Sequence, residues 1–410
     1  MVEQKKPKLE DVAMLDKNKI INRLIENRNF NLKVFQPFSD LVKDFLNDFS
    51  NELKNKRETY SYPNLVYLTM WASKKSVKKL EKKFKSNQIR LGRGLIFHIC
   101  PSNVPTNFIY SFFFGLLSGN SNIVKIPSKK FREKEIILLT IKSLFKKKKF
   151  LILKNSNCFI EYQNEIETTK KISSICDGRV IWGGDKTINE IRKVWIPERT
   201  IEITFSDRYS LSIININQLK KAKTNEIKLL ANKFFYDGYT MNQLACNSPH
   251  FIFWIGKKNT NVQNYFWSEL NKIVEKKFLF DEIHVVDKYT NLIENIINQK
   301  NFRNLKTFKN NLYIIDPSRD VKKIENIRGV GGTFFQKNIN QINDLKNFIN
   351  KKCQTVSYFG FTKKQLELFI LNNNLLGIDR LVPIGKALGI DIIWDGYEVL
   401  KSLSRTVSLE

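Results

Sequence analysis

The sequence is sparing with the residues that build metal centres and disulfides. Its 410 residues include only three histidines, at positions 98, 250 and 284, and none shows the spacing of a zinc-ligand pair. The cysteines are odd in number and far apart, at positions 100, 158, 176, 246 and 353. This pattern argues against a disulfide scaffold, is typical of a reduced intracellular protein, and predicts no metal site.

Long, uninterrupted apolar segments are also missing. The opening residues MVEQKKPKLEDV contain no apolar stretch of the kind that secretory signals carry. The longest uncharged run, 94–124, reaches the length of a membrane span, but two prolines and four asparagines interrupt it. We therefore expect neither a secretory signal nor a membrane span, and we predict a cytoplasmic protein.

The common signatures of nucleotide and nucleic-acid binding are absent. No G-x-x-x-x-G-K-[ST] occurs and no G-x-G-x-x-G follows a strand, which excludes a P-loop and the usual dinucleotide fingerprint. Helix-turn-helix, zinc-finger and stacking-aromatic patterns are missing as well. A nucleotide would have to be held by other means.

The net charge of +29 is the feature that points most directly to a polyanionic partner. The basic residues are mostly lysines spread along the whole chain, however, which is typical of solvated surfaces and a biased composition. The densest run, 146–149, is predicted to end a helix, where cations complement the dipole. We predict no nucleic-acid partner; an acidic partner or a polyphosphate ligand such as coenzyme A is the functional alternative.

The hydrophobic pattern predicts alternating strands and helices after a helical start. Residues 1–90 are charged and helical in period, with Leu41, Phe45 and Phe49 on one stripe of a predicted helix. From residue 91, buried strands alternate with helices, which is typical of parallel sheets covered by helices. Strands are predicted at GLIFHIC, NIVKIP, RVIWGG, TIEITF, YSLSIINI, HFIFWIG, DEIHVVD, NLYIID and CQTVSYFGF.

Three short motifs stand at predicted strand ends, where open α/β sheets bind ligands. In CPSNVPTN, the amide of Asn103 could donate to a developing oxyanion or bond its own turn. In KIPSKK, Lys125 and Ser128 could hold ribose or phosphate, or form a solvated strand end. In WGGDK, Gly183 and Gly184 would admit a pyrophosphate at a helix N-terminus, or make a simple tight turn.

Cys246, in NQLACNSPH, has three possible roles. A lone cysteine is most often a small buried hydrophobe, and no zinc-ligand spacing surrounds this one. Its neighbours Asn242, Gln243 and Asn247 make a poor core and a plausible lining for an active site. His250 follows at four residues and could tune the thiol or simply be buried.

In their order along residues 90–405, these motifs resemble a known family. The chain is similar to the fatty acyl-CoA reductases of the aldehyde dehydrogenase superfamily, typified by the reductase component of bacterial bioluminescence. The resemblance rests on PSNVP, GNSNIVKIPS, VIWGGDKTI, FSDRYS, the NQLAC block, QTVSYFGF and DRLVPIGKALGIDIIWDGYEVLKSLSR. It implies an aldehyde-dehydrogenase-like α/β fold, with two Rossmann-like parallel-sheet lobes and a helical N-terminal segment.

The resemblance also implies a role for individual residues. Cys246 corresponds to the catalytic nucleophile, and Asn103 to the amide of the oxyanion hole. The implied cofactor contacts are Pro101 and Ser102 in the same turn, Lys125 and Ser128 at the adenosine ribose, and Gly183 and Gly184 near the pyrophosphate. Many NAD-preferring relatives carry an acidic residue where Ser128 stands, so NADPH is the expected cofactor. In the C-terminal block, Arg380 and Lys386 are candidates for phosphate contacts.

One position departs from the hydrolytic members of the superfamily. They carry a glutamate that activates water, whereas the alignment through YSLSII places Phe205 there. Glu202 is three residues away, an odd offset that turns its side chain to the opposite face of a strand. Without that base, a thioester on Cys246 should survive long enough to be reduced.

The sequence therefore predicts an NADPH-dependent reduction of an acyl-CoA to an aldehyde. The alternatives are an aldehyde dehydrogenase that releases acid or acyl-CoA, and an acyl-binding or acyl-transferring protein without reductase activity. Expected partners are an acyl-CoA or acyl carrier protein thioester, an acyl-protein synthetase, and further copies of the chain. The predicted domains are a helical segment packed on the cofactor lobe (1–90), the cofactor lobe (91–214), the catalytic lobe (215–380) and a C-terminal return to the cofactor lobe (381–410).

Overall fold

The chain forms two compact units that divide at Ser206/Asp207 and at Ile390/Asp391. A computed structural model describes residues 31–85, 87–101, 104–162, 165–278, 282–299, 302–318, 321 and 323–410. The first unit contains the described residues up to Ser206 together with Asp391–Glu410. The second unit contains Asp207–Ile390.

The described N-terminal segment is helical, as the sequence predicts. It comprises α1 (Asp40–Lys54), α2 (Pro63–Trp71) and α3 (Lys74–Phe84), followed by strand β1 (Ile89–Gly92). Of the stripe predicted on α1, Phe45 and Phe49 are fully buried, and Leu41 is half-buried. The Phe45 ring packs against Phe112, and the Phe49 ring packs against Phe113. Both partners lie in the helix Asn107–Leu117. The segment thus shares the core of the first unit.

A five-stranded parallel sheet forms the centre of the first unit. Its strands, in the order β4-β3-β2-β5-β6, are all parallel. The elements in chain order are β2 (Leu95–Ile99), α4 (Asn107–Leu117), β3 (Ser121–Lys125), α5 (Arg132–Phe145), α6 (Leu151–Asn155), β4 (Asn157–Ile160), α7 (Ile166–Ser173), β5 (Gly178–Trp182), α8 (Asp185–Arg192) and β6 (Ile201–Phe205).

The charge-free run 94–124 is the core of this unit. It supplies β2, buried along its whole length, and α4, which buries all but the first of its residues. A helix that is apolar all round must be enclosed by other elements. The basic run 146–149 begins where α5 ends, and Lys147 and Lys149 pair with Asp48 of α1. The predicted helix end is confirmed.

A seven-stranded sheet forms the second unit, in the order β13-β12-β7-β8-β11-β10-β9. All neighbours are parallel except the edge strand β9, which is antiparallel to β10. The elements are β7 (Tyr209–Asn215), α9 (Ile216–Lys221), α10 (Thr224–Tyr239), β8 (Pro249–Ile255), α11 (Thr260–Lys277), α12 (Glu282–Gln299), β9 (Phe302–Phe308), β10 (Leu312–Pro317), β11 (Thr333–Ile339), β12 (Cys353–Phe359), α13 (Lys363–Asn372) and β13 (Arg380–Pro383).

One predicted strand is wrong. The stretch DEIHVVD, whose described part begins at Glu282, is the start of helix α12. Val286, Tyr289, Ile293 and Ile296 recur every three or four residues, which is the period of a helix. The short β-branched pair at 285–286 favours a strand locally, but the longer helical pattern prevails.

The boundaries between the two units differ from the predicted boundaries between the lobes. The prediction separates the lobes at 214/215, whereas β7 pairs with β8 and β12 in the second sheet. The prediction ends the catalytic lobe at 380, whereas β13 adds to the same sheet through its pairing with β12. Strand pairing over long sequence separations determines both boundaries, and local composition does not reveal it.

The last residues belong to the first unit. They form β14 (Ile393–Trp394), β15 (Tyr397–Glu398), α14 (Val399–Ser402) and β16 (Ser404–Val407), and β16 pairs antiparallel with β1. The Nδ2 of Asn120 donates to the carbonyl of Leu403 at 2.8 Å. Within the described ranges, none of the helices is both long and apolar enough to cross a bilayer.

Candidate active site

A cavity of about 780 Å³ lies at the carboxyl ends of β2, β3 and β5 in the first unit. This is the position at which open parallel sheets bind ligands, because the chain crosses to opposite faces on either side of the central strand. Its lining includes five of the predicted cofactor contacts: Pro101, Lys125, Ser128, Gly183 and Gly184. Ser102 and Asn103, also predicted site residues, lie outside the described residues.

Lys125 ends β3 and presents its ammonium group beside the cavity. Its Nζ lies 4.3 Å from the centre of the Tyr162 ring, a cation–π distance. Burial lowers the pKa of Lys125, and the nearby Cys100 acts in the opposite direction. The Tyr162 hydroxyl is held by Thr169 at 2.8 Å, so the ring that supports the lysine is itself fixed.

The glycine pair forms the turn between β5 and helix α8. Gly183 donates its N–H to the carbonyl of Phe205 at 3.1 Å, and Gly184 is the N-cap residue of the helix. A Cβ atom built on Gly184 would meet no other atom within 4 Å. The turn therefore leaves open space in front of a helix N-terminus, where backbone N–H groups and the helix dipole favour an anion.

A buried chain of polar side chains supports one wall of the cavity. Trp182, which lines it, donates its indole N–H to Ser111 at 2.9 Å. Ser111 bonds Nδ1 of His98 at 2.7 Å, and Nε2 of His98 lies 2.9 Å from the Asn122 side-chain oxygen. Burial lowers the pKa of His98 to about 4, so the imidazole is neutral near pH 7. These residues position Trp182.

The side chains of Phe205 and Glu202 are both engaged in contacts with other residues of the first unit. The Phe205 ring stacks on Trp182 with 3.8 Å between centroids. Glu202 accepts from the fully buried Arg179 at 2.7 Å and from Arg192 at 2.9 Å. Glu202 is therefore engaged in an ion-pair cluster, which leaves it poorly suited to activate a water molecule.

Cys246 lies in the loop between α10 and β8 of the second unit and is half-buried. The Ser210 hydroxyl donates to the Cys246 carbonyl at 2.7 Å, and the Gln354 amide donates to its sulfur at 3.3 Å. Ser210 and Gln354 belong to β7 and β12, near the strand starts. The sulfur is thus placed at the amino ends of the strands of the second sheet.

Two of the polar neighbours singled out in the sequence hold this loop in shape. Gln243 is buried; its oxygen accepts from Gly332 and Thr333 at 2.8 and 3.0 Å, and its amide donates to two further carbonyls. Asn247 donates to the carbonyl of Ala387 at 2.8 Å. The sequence favours these side chains as the lining of an active site. In the structure, both instead hold the loop that carries Cys246 in shape.

His250 does not suit the role of a proton donor. Its Nδ1 lies 3.1 Å from both the nitrogen and the oxygen of Gly329, and the side chain is buried. Burial, reinforced by the positive charge of Arg328, lowers the pKa of His250 to about 3. The ring is therefore neutral near pH 7.

The other four cysteines are shielded. Burial raises the pKa of Cys158, Cys176 and Cys353 to about 12 each, and raises that of Cys100 further. A thiol acts as a nucleophile in its thiolate form, so these four groups are inert near neutral pH. Cys246, which is half-buried, stays the predicted nucleophile.

The model of the acyl-CoA reductase (LuxC) family matches residues 64–406, more than four-fifths of the chain. The chain belongs to the acyl-CoA reductase (LuxC) family. As a member of that family, it is an oxidoreductase that acts on aldehyde or acyl groups. No curated protein is detectably similar in sequence.

Solved structures show which fold this reductase-family chain has. It is similar to the indole-3-acetaldehyde dehydrogenase of P. syringae solved with NAD+ and IAA (TM-score 0.65, 11% identity, 96% of this chain and 87% of that chain covered). It is also similar to an oxidoreductase from Marinobacter aquaeolei (TM-score 0.63, 11% identity, 95% and 90% covered). A salicylaldehyde dehydrogenase from Pseudomonas putida G7 is a third neighbour (TM-score 0.62, 10% identity, 95% and 88% covered). The predicted aldehyde-dehydrogenase-like fold is confirmed.

The residues of this family member that sequence reasoning missed surround Cys246. Gln354 contacts the sulfur, and Arg328 and Asp207 form an ion pair at the same strand ends. Gln354 and Asp207 stand in QTVSYFGF and FSDRYS, two motifs that carry the family resemblance. Gln354 is a polar residue within an otherwise buried strand, and this was the available signal for it.

The C-terminal block of the reductase secures a loop next to Cys246. Arg380, a predicted candidate for a phosphate contact, donates instead to the carbonyls of Ala387 and Gly389 at 3.0 and 2.6 Å. Asp237 accepts from the N–H groups of Gly385 and Ala387, and burial raises its pKa to about 7. Lys386, the other candidate, is exposed. In the described part of the chain, no cluster of three His, Cys, Asp or Glu residues suits a metal ion.

Proposed function

We propose that the chain reduces a fatty acyl-CoA to its aldehyde with NADPH, through an acyl group carried on Cys246. The observation that carries the proposal is membership of the acyl-CoA reductase family over residues 64–406. Two local features support it. The first unit has a cavity at the carboxyl ends of its strands, and Cys246 is half-buried, whereas burial raises the pKa of each of the other four thiols.

The cavity suits a nicotinamide dinucleotide. The open space at Gly184, at the N-terminus of α8, fits a pyrophosphate, and Lys125 stands where it can hold ribose hydroxyls or phosphate. Ser128 also lines the cavity and brings no carboxylate that would repel a 2′-phosphate. The structural neighbour from P. syringae was solved with NAD+. Bound NADPH supplies the hydride for the reduction.

Cys246 performs the acyl transfer. Its thiolate attacks the carbonyl carbon of the acyl-CoA, the carbon–sulfur bond to coenzyme A breaks, and coenzyme A leaves as its thiol after taking up a proton. The Gln354 amide, 3.3 Å from the sulfur, and the Ser210 hydroxyl on the Cys246 carbonyl keep the nucleophile in place. A hydride, equivalent to two electrons and one proton, and one further proton then convert the acyl group to free aldehyde, break its bond to Cys246 and restore the thiol.

The surroundings of Glu202 and Phe205 favour reduction over hydrolysis. A hydrolytic enzyme needs a base that activates water against the thioester. The aligned position holds an aromatic ring, Glu202 is paired with Arg179 and Arg192, and Asp207 is paired with Arg328 and Lys352. The acyl group on Cys246 therefore persists until it is reduced or returned to a thiol.

The acyl donor can equally be a thioester of an acyl carrier protein, because an acidic carrier protein would suit the net charge of +29. An acyl-protein synthetase partner and homo-oligomeric assembly stay predictions.

Mass spectrometry of the acylated protein, after digestion, tests the proposal directly. The protein is incubated with acyl-CoAs of increasing chain length and without NADPH, then digested. We expect one acyl increment, on the peptide that contains Cys246, and its loss as aldehyde when NADPH is added. Acid as the product without coenzyme A would instead indicate an aldehyde dehydrogenase. Absence of any increment with every acyl-CoA would contradict the proposal.

Gly184→Ala tests the cofactor site. The backbone angles of Gly184, φ −69° and ψ 160°, suit alanine, and its methyl group would meet no atom of the protein. The methyl occupies space needed by the pyrophosphate, and such crowding costs about 1–3 kcal/mol, so the Kd for NADPH is expected to rise about tenfold. Fluorescence titration measures the Kd, and an unchanged melting temperature is the control. An unchanged Kd would place the dinucleotide elsewhere.

A further inference from the structure

A short loop of the second unit is fastened to the loop that carries Cys246. It comprises residues 384–390 and follows strand β13. The side-chain amide of Asn247 donates to the carbonyl of Ala387 at 2.8 Å. Because Asn247 is the residue after Cys246, this hydrogen bond joins the two loops directly. The Cα atoms of Cys246 and Lys386 are consequently at most about 17 Å apart.

Two charged side chains hold this loop in one conformation. The carboxylate of Asp237, which is 1% exposed, accepts from the N–H groups of Gly385 and Ala387 at 2.6 and 3.0 Å. The guanidinium of Arg380 donates to the carbonyls of Ala387 and Gly389 at 3.0 and 2.6 Å. Hydrogen bonds to ionised groups are stronger than those between neutral groups. The loop is therefore preorganised, and both of these charges are used inside the protein.

Two lysines are exposed where the 384–390 loop meets helix α10. Lys386 lies between the two residues whose N–H groups Asp237 binds, and its side chain is exposed. Gly385, whose φ is +92°, packs against Lys233 of α10: a Cβ atom built on Gly385 would lie 2.8 Å from Cβ and 3.0 Å from Cγ of that lysine. Lys233 is exposed too. Within the described ranges, neither ammonium group forms an ion pair or a hydrogen bond, so both charges can serve a ligand.

A phosphate joined to a thioester by an arm of matching length fits this arrangement. Both acyl donors proposed for Cys246 carry the thioester on phosphopantetheine, either in coenzyme A or on an acyl carrier protein. The pantetheine arm between sulfur and phosphate is about as long as five extended residues, about 17 Å. A donor whose thioester reaches Cys246 can therefore place its phosphate at the two lysines. The ammonium group of lysine is a common partner of phosphate in proteins.

We propose that Lys386 and Lys233 bind the phosphate of the phosphopantetheine that carries the acyl group. The inference rests on the proposed function and adds a site for the part of the donor that coenzyme A and a carrier protein share. Asp237, Arg380 and Asn247 act through the 384–390 loop and are positioning residues. Because both lysines are exposed, each contributes as a surface ion pair does, about fivefold in affinity, and added salt weakens the effect.

The test is equilibrium binding to the full-length protein without NADPH. Coenzyme A that carries a fluorophore on its thiol reports binding by anisotropy, and unlabelled phosphopantetheine or pantetheine competes with it. These two competitors differ only in the phosphate. We expect Lys386→Gln and Lys233→Gln each to raise the Kd of phosphopantetheine about fivefold, and the double variant to raise it about twenty-five-fold. The Kd of pantetheine should stay unchanged in all three variants.

Two further variants separate phosphate binding from general effects of charge. Lys386→Arg keeps the positive charge and should retain most of the affinity for phosphopantetheine. Lys364→Gln removes another exposed lysine of the same unit, on helix α13, and is the matched control. Its Kd for phosphopantetheine should stay close to the wild-type value. All of the substituted side chains are exposed, so the melting temperature should not change.

Equal Kd values for phosphopantetheine and pantetheine in the wild type would overturn the inference. A loss in Lys364→Gln as large as that in Lys386→Gln would overturn it as well. The KM of the double variant then identifies the source of the phosphate: it rises for acyl-CoA, for the acyl carrier protein or for both. A KM that rises for neither donor contradicts the site.

The binding assay contains neither NADPH nor an acyl group, so its outcome is independent of reductase activity. A protein that shows the expected losses of affinity but reduces no thioester would contradict the proposed function and leave the phosphate site intact. A protein that reduces acyl thioesters with the same KM in the wild type and the double variant would do the reverse.

Discussion

Replacing Cys246 by alanine is expected to abolish acyl-CoA-dependent oxidation of NADPH, to below about one-thousandth of the wild-type rate. The sulfur is the atom that forms the new bond to the acyl group, and no other cysteine of the chain combines partial exposure with an unshielded environment. The measurement is the decrease in NADPH absorbance on addition of a long-chain acyl-CoA, with the aldehyde quantified separately.

Cys158→Ala is the matched control for this variant. Cys158 is half-buried like Cys246, but it lies in strand β4 of the first unit and burial raises its pKa to about 12. We expect this variant to keep the wild-type rate. Cys246→Ala should still bind NADPH with unchanged Kd, because the cavity of the first unit is untouched. Full reductase activity in Cys246→Ala would contradict a mechanism in which the acyl group is carried on Cys246.

The second large effect is on stability: Glu202→Gln is expected to lower the free energy of unfolding by about 3 kcal/mol. Glu202 neutralises Arg179, which is 1% exposed and donates to Glu202 at 2.7 Å. Loss of the carboxylate charge leaves a buried guanidinium without a counter-ion. Urea denaturation measures the change, and reductase activity per folded molecule should be retained because Glu202 takes no part in the chemistry.

Arg192→Gln is the control for the second prediction. Arg192 contacts the other oxygen of Glu202 at 2.9 Å, but its side chain is 55% exposed. An exposed ion pair contributes at most about 1 kcal/mol, so this variant should be nearly as stable as the wild type. A different outcome would contradict this role: the wild type releases acid from the acyl-enzyme, and Glu202→Gln is fully stable but does not. That result would identify Glu202 as a hydrolytic base.

The nucleotide cavity was predictable from the sequence. Pro101, Lys125 and Gly183 lie at the carboxyl ends of β2, β3 and β5, and the carboxyl ends of parallel strands meet at one edge of a sheet. Recognising three strand ends therefore suffices to bring the motifs together. The depth of the cavity and the support of Trp182 by Ser111 and His98 depend on side chains whose sequence neighbours give no sign of them.

The surroundings of Cys246 were only partly predictable. The sequence favours the cysteine itself through its polar neighbours and family motifs, but Gln354 lies 108 residues away and contacts the sulfur only because β12 and the cysteine loop meet. The sequence predicts that Gln243 lines an active site. In the structure, its side chain instead holds the loop in shape through hydrogen bonds to backbone groups up to 90 positions away. Single polar residues leave no periodic signal, so their contacts cannot be inferred locally.

By itself, the sequence determined the alternation of strands and helices and the strand-end motifs, because hydrophobic period and turn chemistry are local properties. The choice of Cys246 came from the resemblance to a known family. Only the tertiary structure decided where the two units divide, that 282–299 is one helix, and that Gln354 contacts the sulfur of Cys246. Those features arise from strand pairing and from burial of charge between segments far apart in the chain, and both are properties of the folded molecule.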